Sequence, residues 1–207
     1  MTKTPIALRK VPVQPRAQIT WDAIVEAAAQ VLNASGLSGF NTNAVSTRAG
    51  VSIGTLYQYF PNKDALMAAL IAREQVARAV ALGSVVDDLA GLTLGEGVAR
   101  LIDAAIAGET RQPRLSRGLD HEEARLPVDA LIGAAQDALD GHIARFLRPH
   151  FLDVPEASLM RMGRTLRIIA RAVIDDTINN DLPDEAYARE QCRLAVLGYL
   201  DNHLSRS

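Results

Sequence analysis

The stretch from Asn41 to Asp64, NTNAVSTRAGVSIGTLYQYFPNKD, constrains the fold of this chain more than any other part. Thr42 is expected to cap a first helix, because its hydroxyl can accept hydrogen bonds from the free amides of the first turn. Gly50 can adopt the left-handed conformation where that helix ends. Ser52 is placed to cap a second helix, which Pro61 terminates. Two capped helices joined by a glycine turn predict a helix-turn-helix.

The second helix, Ile53 to Tyr59, would expose an unusual surface. Leu56 and Phe60 are four residues apart and can face the core, which leaves two tyrosines, an amide, a hydroxyl and no charged group outside. Such groups suit a DNA major groove, where they meet base edges and phosphates, and Gly54 would let the backbone approach closely. The alternative is an ordinary helical hairpin with surface tyrosines. The candidate DNA-binding residues are Thr42, Ser52, Ile53, Gly54, Thr55, Tyr57, Gln58, Tyr59 and Lys63.

These candidates are expected to divide into groups that read bases and groups that position the protein. Gln58 and Thr55, together with Ile53, are the candidate base readers, whereas the two tyrosines are expected to contact phosphate through their hydroxyls. Asn62 is expected to cap the next helix and so to place Lys63 in its first turn. A cation there is unfavourable for the helix dipole unless an anion such as a phosphate binds at that end.

The residues from Ala49 to Leu66, AGVSIGTLYQYFPNKDAL, resemble the tetracycline-repressor-like (TetR) family of transcriptional regulators. The resemblance extends back through NTNAV to the segment WDAIVEAAAQVL, without a gap. Ser46 and Asp64 depart from the family pattern, which usually has alanine and glutamate there. The resemblance implies a homodimer that binds a palindromic operator in double-stranded DNA. It also implies a helical C-terminal domain that binds a small-molecule effector and thereby weakens DNA binding.

The charge distribution agrees with a DNA-binding N-terminal part. The chain has a net charge of −2, yet residues 1–81 contain eight Lys and Arg against four Asp and Glu, a net charge of +4. The remainder therefore carries −6, which fits one module that contacts phosphate and another that does not. Only 4% of the residues are aromatic, while alanine and leucine abound, so the composition favours an all-α fold.

Apolar residues at helical spacing predict further helices, at about residues 20–34, 63–82, 95–109, 128–147, 156–179 and 184–204. Ser35 and Gly36 are expected to end the first of these. Residues 113–124 are more polar and are predicted to form a short helix with loops.

The expected fold class is all-α, with an N-terminal three-helix helix-turn-helix DNA-binding domain and a C-terminal helical ligand-binding and dimerisation domain. Residues 1–15 are predicted to be a disordered basic arm, which either reaches DNA as homeodomain arms do or is a solvated tail. Residues 16–80 are predicted to form the DNA-binding domain with its linking helix, with the helix-turn-helix motif at 41–60. Residues 81–207 are predicted to form the effector-binding and dimerisation domain.

The last two predicted helices are apolar over more than one face, so each is expected to need a partner beyond its own core. The family resemblance implies that they pair with their symmetry mates in a four-helix interface. Four arginines, Arg161, Arg164, Arg167 and Arg171, lie along the first of these helices. They could bind an anionic ligand, face solvent, or pair with Glu185 and Glu190 across the dimer. The candidate interface residues are Ala188, Cys192, Ala195, Leu197 and Tyr199.

The effector is expected to occupy an apolar cavity between the helices at about 95–109, 128–147 and 156–179, because their stripes contain few polar residues. The sequence does not identify the effector. His121 is followed by two glutamates, and the alternative to a ligand-binding role is that these residues form a cluster on the surface. The candidate ligand-binding residues are Arg117, His121, Ile102, Leu139 and Phe146.

Enzymatic, metal and membrane signals are not found in the sequence. GxSxG, P-loop and GxGxxG patterns are absent, and the four histidines lack the HxxxH or ExxH spacing of metal sites. No catalytic residue, metal or cofactor is therefore predicted. A secretory signal and a membrane span are also not expected, so the protein is predicted to be cytoplasmic.

The sequence permits three interpretations. The first, and the predicted function, is a homodimeric repressor that a small-molecule ligand releases from a palindromic operator, although the sequence by itself does not decide between repression and activation. The second is a helix-turn-helix dimer that is controlled by a protein partner or by no ligand. The third is an all-α enzyme with an incidental DNA-binding fold.

Overall fold

The computed structural model describes residue 12, residues 14–178 and residues 184–204, and these residues form helices and connecting turns without any strand. The predicted all-α class is confirmed. Most of the predicted N-terminal arm lies outside the described residues. The helices are α1 Pro15–Gly39, α2 Thr42–Ala49, α3 Ile53–Tyr59, α4 Lys63–Asp87, α5 Leu94–Arg111, α6 Pro113–Arg125, α7 Asp129–Leu147, α8 Glu156–Ile178 and α9 Glu185–Leu204, with a 3-10 turn at Arg148–His150. In the described part of the chain, none of these helices is long and apolar enough to cross a membrane.

The chain divides into two compact units that are not continuous in sequence. Among the described residues, unit 1 comprises those up to residue 75 together with 112–133, and unit 2 comprises 76–111 and those from residue 134 onward. This division differs from the predicted boundary between residues 80 and 81, because α6 belongs to unit 1. The prediction treated each domain as one continuous segment, and the packing of α6 does not follow that order.

The core of unit 1 is built by α1, α2, α3 and the first half of α4. Leu56 and Phe60 are buried, as predicted, and the centroid of the Phe60 ring lies 5.8 Å from that of the Trp21 ring. The first half of α4 is buried from Ala65 to Ile71. Burying a large apolar side chain contributes about 1.5–3 kcal/mol, so this run anchors α4 firmly in the unit.

Helix α6 packs against α1 within unit 1. Leu115 and Leu119 are buried in the core of the unit. At Gly118 the helix comes so close that an added Cβ would lie 2.9 Å from the side chain of Leu32. The Arg114 guanidinium donates a hydrogen bond to the Ala34 carbonyl at 2.7 Å. Apolar and polar contacts together therefore make α6 part of this unit.

The first helix begins earlier than predicted, at Pro15, where a proline is tolerated because the first helical amide needs no partner. Its regular conformation breaks at Gly36, which has φ 63°. The helix was predicted to end at Ser35 and Gly36, but only its regular conformation breaks there, and a further turn follows to Gly39.

Unit 2 is formed by α5, α8, α9 and the adjoining parts of α4 and α7, with α8 packed on α9 and α5 packed on both. Its apolar core includes Ile102, Phe146 and Leu159. At Gly163 the backbones of α8 and α7 approach so closely that an added Cβ would lie 2.5 Å from the Asp140 carbonyl oxygen. This contact allows a buried ion pair to form between the same two helices.

Candidate nucleic-acid interface

The first helix of the motif is capped by Asn41 and not by Thr42. The Asn41 side-chain oxygen accepts a hydrogen bond from the Ala44 amide at 2.9 Å. Thr42 is the first helical residue, and its hydroxyl lies 3.1 Å from the hydroxyl of Tyr57. The predicted cap was therefore one residue late, because asparagine and threonine are both good capping residues and only the backbone conformation decides between them.

The turn between α2 and α3 has the predicted geometry. Gly50 adopts φ 68° and ψ 28°, and its amide donates to the carbonyls of Ser46 and Thr47. The Val51 amide also donates to Ser46, at 3.0 Å, and the Val51 side chain packs on the core of unit 1. Ser52 caps α3 by accepting a hydrogen bond from the Thr55 amide at 3.0 Å. The glycine turn and the Ser52 cap are confirmed.

Replacing Gly50 with alanine is expected to lower the free energy of unfolding by about 1–2 kcal/mol, because a residue with a Cβ is strained in the left-handed conformation. The space around the position is open, so the loss isolates backbone strain. Denaturant unfolding of the two proteins measures it. Gly54→Ala is the matched control, because Gly54 is helical and its added Cβ would meet no atom closer than 3.7 Å. Equal losses at both positions would contradict this explanation.

The outer surface of α3 is exposed and uncharged. Ile53, Gly54, Tyr57 and Gln58 are exposed, and Leu56 faces the core. The outer face of α3 is therefore partly polar and partly apolar, and it carries no charged side chain. A backbone approaching Gly54 would meet no side chain at that position.

Two candidates on α3 are less available than predicted. Tyr59 is partly buried and packs against the core of unit 1. The Thr55 hydroxyl lies 2.8 Å from that of Ser52, so part of its hydrogen-bonding capacity is used within the motif. Tyr59 and Thr55 are therefore less exposed than the other candidates on this face of α3.

The start of α4 presents an exposed cation, as predicted. The Asn62 side chain accepts a hydrogen bond from the Ala65 amide at 2.8 Å, which confirms the cap. Lys63 is exposed and its Nζ lies 5.4 Å from the centroid of the Phe40 ring. A cation over an aromatic face is attracted by its quadrupole. The buried Phe40 therefore helps to hold the lysine at the edge of the motif.

Arg125, the last residue of α6, also lies at this site, although it is not among the residues predicted from the sequence. Its guanidinium donates to the Asp64 carboxylate at 2.5 Å, next to Lys63 in the first turn of α4. This hydrogen bond lowers the pKa of the Asp64 carboxyl below its usual range. The two residues are 61 positions apart, so no local signal could have paired them.

A hydrogen-bonded network also fixes α2 to its neighbours. The Arg48 Nε donates to Gln30 at 2.6 Å, and the Gln30 amide donates to Glu26 at 2.9 Å. The Arg73 guanidinium bonds the other Glu26 oxygen at 2.9 Å. These contacts join α2, α1 and α4 on the surface of unit 1.

The five ligand-binding candidates are not brought together within one unit. Arg117 and His121 are exposed on α6 in unit 1. Ile102 and Phe146 are buried together in the core of unit 2, and Leu139, on α7 in the same unit, is partly buried. The set as predicted therefore does not form one site in either unit, and the position of the effector remains a prediction.

The dimer candidates on α9 also divide. Ala188 and Cys192 are fully buried in the core of their own protomer, which corrects their assignment to an interface. Burial raises the pKa of the Cys192 thiol to about 11, as expected for an inert core cysteine. Ala195 is exposed, and Leu197 and Tyr199 are partly buried against the core. The exposed large apolar residues of α8 and α9 are Ile168, Tyr187 and Leu194.

The four arginines of α8 do not form one solvated face. Arg167 pairs with the buried Asp140 of α7, with its Nε 2.5 Å from the carboxylate. Arg171 lies 3.5 Å from Asp175, whose pKa is raised mainly by burial. Arg161 donates to the Ser158 hydroxyl within α8. Two of the four arginines are thus committed to carboxylates inside the protomer.

The suggested glutamate partners of that stripe include Glu190, which instead accepts two hydrogen bonds from Arg193 on its own helix. In the part of the chain that the structure describes, no group of three or more His, Cys, Asp or Glu residues could hold a metal ion.

Two family models match successive parts of the chain. The model for bacterial regulatory proteins of the tetR family matches residues 24–70, which contain the motif. A model for the tetracyclin repressor-like C-terminal domain matches residues 93–200, which is more than half of the chain.

One curated relative and several solved structures are also similar. The HTH-type transcriptional repressor DrrR1 of Streptomyces coeruleorubidus is 36% identical over 61 residues, a match that covers 30% of this chain and only 23% of that protein. A TetR-family protein of Mesorhizobium loti has a TM-score of 0.69 at 16% identity, covering 91% of this chain and 98% of the other. A TetR regulator of Rhodococcus sp. RHA1 has a TM-score of 0.64 at 24% identity, covering 90% and 98%.

The structural likenesses show a shared fold along almost the whole chain, and the two family models cover the helix-turn-helix and the helices that follow it. The chain therefore belongs to the tetR family of bacterial regulatory proteins.

Proposed function

We propose that the protein is a DNA-binding transcriptional regulator that acts as a repressor on a palindromic operator. The observation that carries the proposal is the exposed, uncharged face of α3 beside Lys63 at the start of α4. Such a face can enter a major groove without repelling the phosphates, while the lysine contacts the backbone. A 61-residue stretch of the chain is similar to the repressor DrrR1, which supports repression over activation.

The functional protein is proposed to be a homodimer that pairs through α8 and α9, because a two-fold symmetric protein matches a palindromic site. Ile168, Tyr187 and Leu194 supply the exposed apolar surface for that pairing. A small-molecule effector is proposed to bind among the helices of unit 2 and to release the operator. The protein is proposed to act in the cytoplasm and to have no catalytic activity.

Within the DNA site, reading and positioning are assigned to different residues. Gln58 and Ile53 are proposed to contact base edges, because both are exposed on α3. Tyr57 and Lys63 are proposed to contact phosphate. The Thr42 hydroxyl, 3.1 Å from that of Tyr57, would orient the phenol toward the backbone of the DNA.

Changing Lys63 to alanine is expected to weaken binding to operator and scrambled DNA to a similar degree, because a phosphate contact carries no sequence information. The slope of log affinity against log salt should shrink by about two units per dimer, one for each lysine. Gln58→Ala should instead cost about 1–3 kcal/mol on the operator and relax the preference at one position per half-site.

The operator is found first, by footprinting the protein on the DNA upstream of its own gene. Salt titrations on operator and scrambled duplexes then compare each variant with the parent. Arg100→Ala is the control, since it removes an exposed cation from α5 in unit 2 and should leave the salt slope unchanged. A Lys63 variant that kept the slope and altered sequence preference would overturn these roles.

A further inference from the structure

We propose that Arg125 is a positioning residue for DNA binding, which neutralises Asp64 and draws its carboxylate aside so that Lys63 can meet a phosphate. The inference rests on the proposed function, because it concerns the same DNA-facing start of α4. It assigns to α6 a direct electrostatic part in that site.

The sequence around the motif shows why such a residue is needed. Asp64 is the only acidic residue between Ala27 and Arg73, so the helix-turn-helix is otherwise free of negative charge. It directly follows Lys63 in the first turn of α4. A carboxylate at a helix N-terminus stabilises the helix, but at this position it would also repel an approaching phosphate. The local stability of α4 and DNA binding thus make opposite demands on one side chain.

The contacts of Arg125 resolve this conflict. Its Nη2 lies 2.5 Å from one Asp64 oxygen, and its Nη1 lies 3.4 Å from the other. The same guanidinium donates to Glu122 through Nε at 2.8 Å and through Nη2 at 2.5 Å. Glu122 is 7% exposed, so a buried carboxylate fixes the position of the Arg125 guanidinium. The guanidinium is therefore oriented before DNA arrives.

The pair remains charged at neutral pH. The hydrogen bond from Arg125 lowers the pKa of Asp64, and the hydrogen bonds to Asp64 and Glu122 raise the pKa of the arginine. Asp64 therefore still stabilises the start of α4 as an anion, while the positive charge of Arg125 offsets the negative charge that an approaching phosphate would meet.

A purely structural role for the pair is less consistent with the packing. The Asp64 and Arg125 side chains are each 46% exposed, and exposed ion pairs contribute little to stability. Helix α6 is already attached to unit 1 by Leu115 and Leu119 in the core and by the bond from Arg114 to the Ala34 carbonyl. The main effect of the pair is accordingly on the charge at the surface.

The test is a double-mutant cycle on a fluorescein-labelled duplex of scrambled sequence, titrated with KCl and followed by anisotropy. Arg125→Gln should weaken binding by about three- to tenfold per protomer and reduce the salt slope by about one unit, the scale of one phosphate contact. Asp64→Asn should change both quantities in the opposite direction. The double variant should return to within about threefold of the parent, because the two charge changes cancel.

A structural link between α6 and α4 would give a different pattern. Either single change breaks that link, so both single variants would bind DNA more weakly and the double variant would not recover. That result would overturn the inference. Arg117→Gln is the matched control, since it removes the same charge from α6 at a residue whose guanidinium bonds to Pro113 within its own helix. Its salt slope should equal that of the parent, and an equal loss for Arg117→Gln and Arg125→Gln would also overturn the inference.

Folding and the proposed function are checked separately. Because Arg125→Gln removes the partner of the buried Glu122, the cycle is repeated in a Glu122→Gln background, where the fold no longer needs that cation. Failure of the parent to bind duplex DNA, or an unchanged salt slope for Lys63→Ala, would contradict the proposed function itself. Normal behaviour of those two proteins without the predicted cycle would contradict only the role of Arg125.

Discussion

Replacing Asp140 with alanine is expected to lower the free energy of unfolding by about 3–5 kcal/mol, because it leaves a charge without its partner inside unit 2. The Arg167 Nε lies 2.5 Å from one Asp140 oxygen, and its Nη2 lies 3.3 Å from the other. The two side chains are 19% and 8% exposed, so water can solvate the remaining guanidinium only in part.

Chemical denaturation followed by circular dichroism measures this loss. Asp87→Ala is the control, because Asp87 pairs with Arg145 between α4 and α7 at 2.9 Å but both side chains are more than half exposed. Its loss should stay below about 1 kcal/mol. The double change Asp140→Leu and Arg167→Met should recover most of the stability, since apolar residues can replace a buried pair without penalty. Similar losses for Asp140→Ala and Asp87→Ala would refute the prediction.

Placing glutamate at Leu194 is expected to convert the proposed dimer into monomers. Leu194 is 53% exposed in the protomer, and Tyr187 and Ile168 are exposed to the same extent on α9 and α8. A charge buried in an interface without a partner costs several kcal/mol. DNA affinity should fall with dimerisation, by about 10²–10⁴-fold, because each monomer reaches only one half-site.

Leu194 is a better test position than Leu197, which was predicted from sequence to lie at the interface. Leu197 packs partly on the core of its own protomer, so glutamate there would also damage the fold. Leu152→Glu is the control, because Leu152 is 78% exposed in the turn between α7 and α8. Analytical ultracentrifugation compares the proteins. A Leu194→Glu variant that still sediments as a dimer would exclude this surface as the interface.

Sequence alone determined the DNA-binding motif in almost every detail. The turn at Gly50, the Ser52 cap and the Asn62 cap are all correct, and Leu56 and Phe60 face the core as their spacing requires. These features depend on hydrogen bonds and side-chain directions within about four residues, and such short-range preferences are encoded locally. Even the misplaced cap at Thr42 was wrong by a single position.

The tertiary structure alone decided which surfaces meet. The sequence showed that the C-terminal helices are amphipathic, but a helical period does not say which neighbour covers an apolar face. Ala188 and Cys192 were therefore predicted to lie at an interface, but they are buried in the core. Arg167 lies on a helix face that was expected to be at the surface, but it pairs with a buried carboxylate.

The same limit applies to the electrostatics of the candidate DNA site. Helix α6 was predicted to belong to the C-terminal domain and instead packs in unit 1, which brings Arg125 to Asp64. Residues far apart in the chain are brought together by the packing of whole helices, and that packing depends on the shape of every side chain in the core. The sequence determined the surface that can face DNA, and the tertiary packing decided which charges surround it.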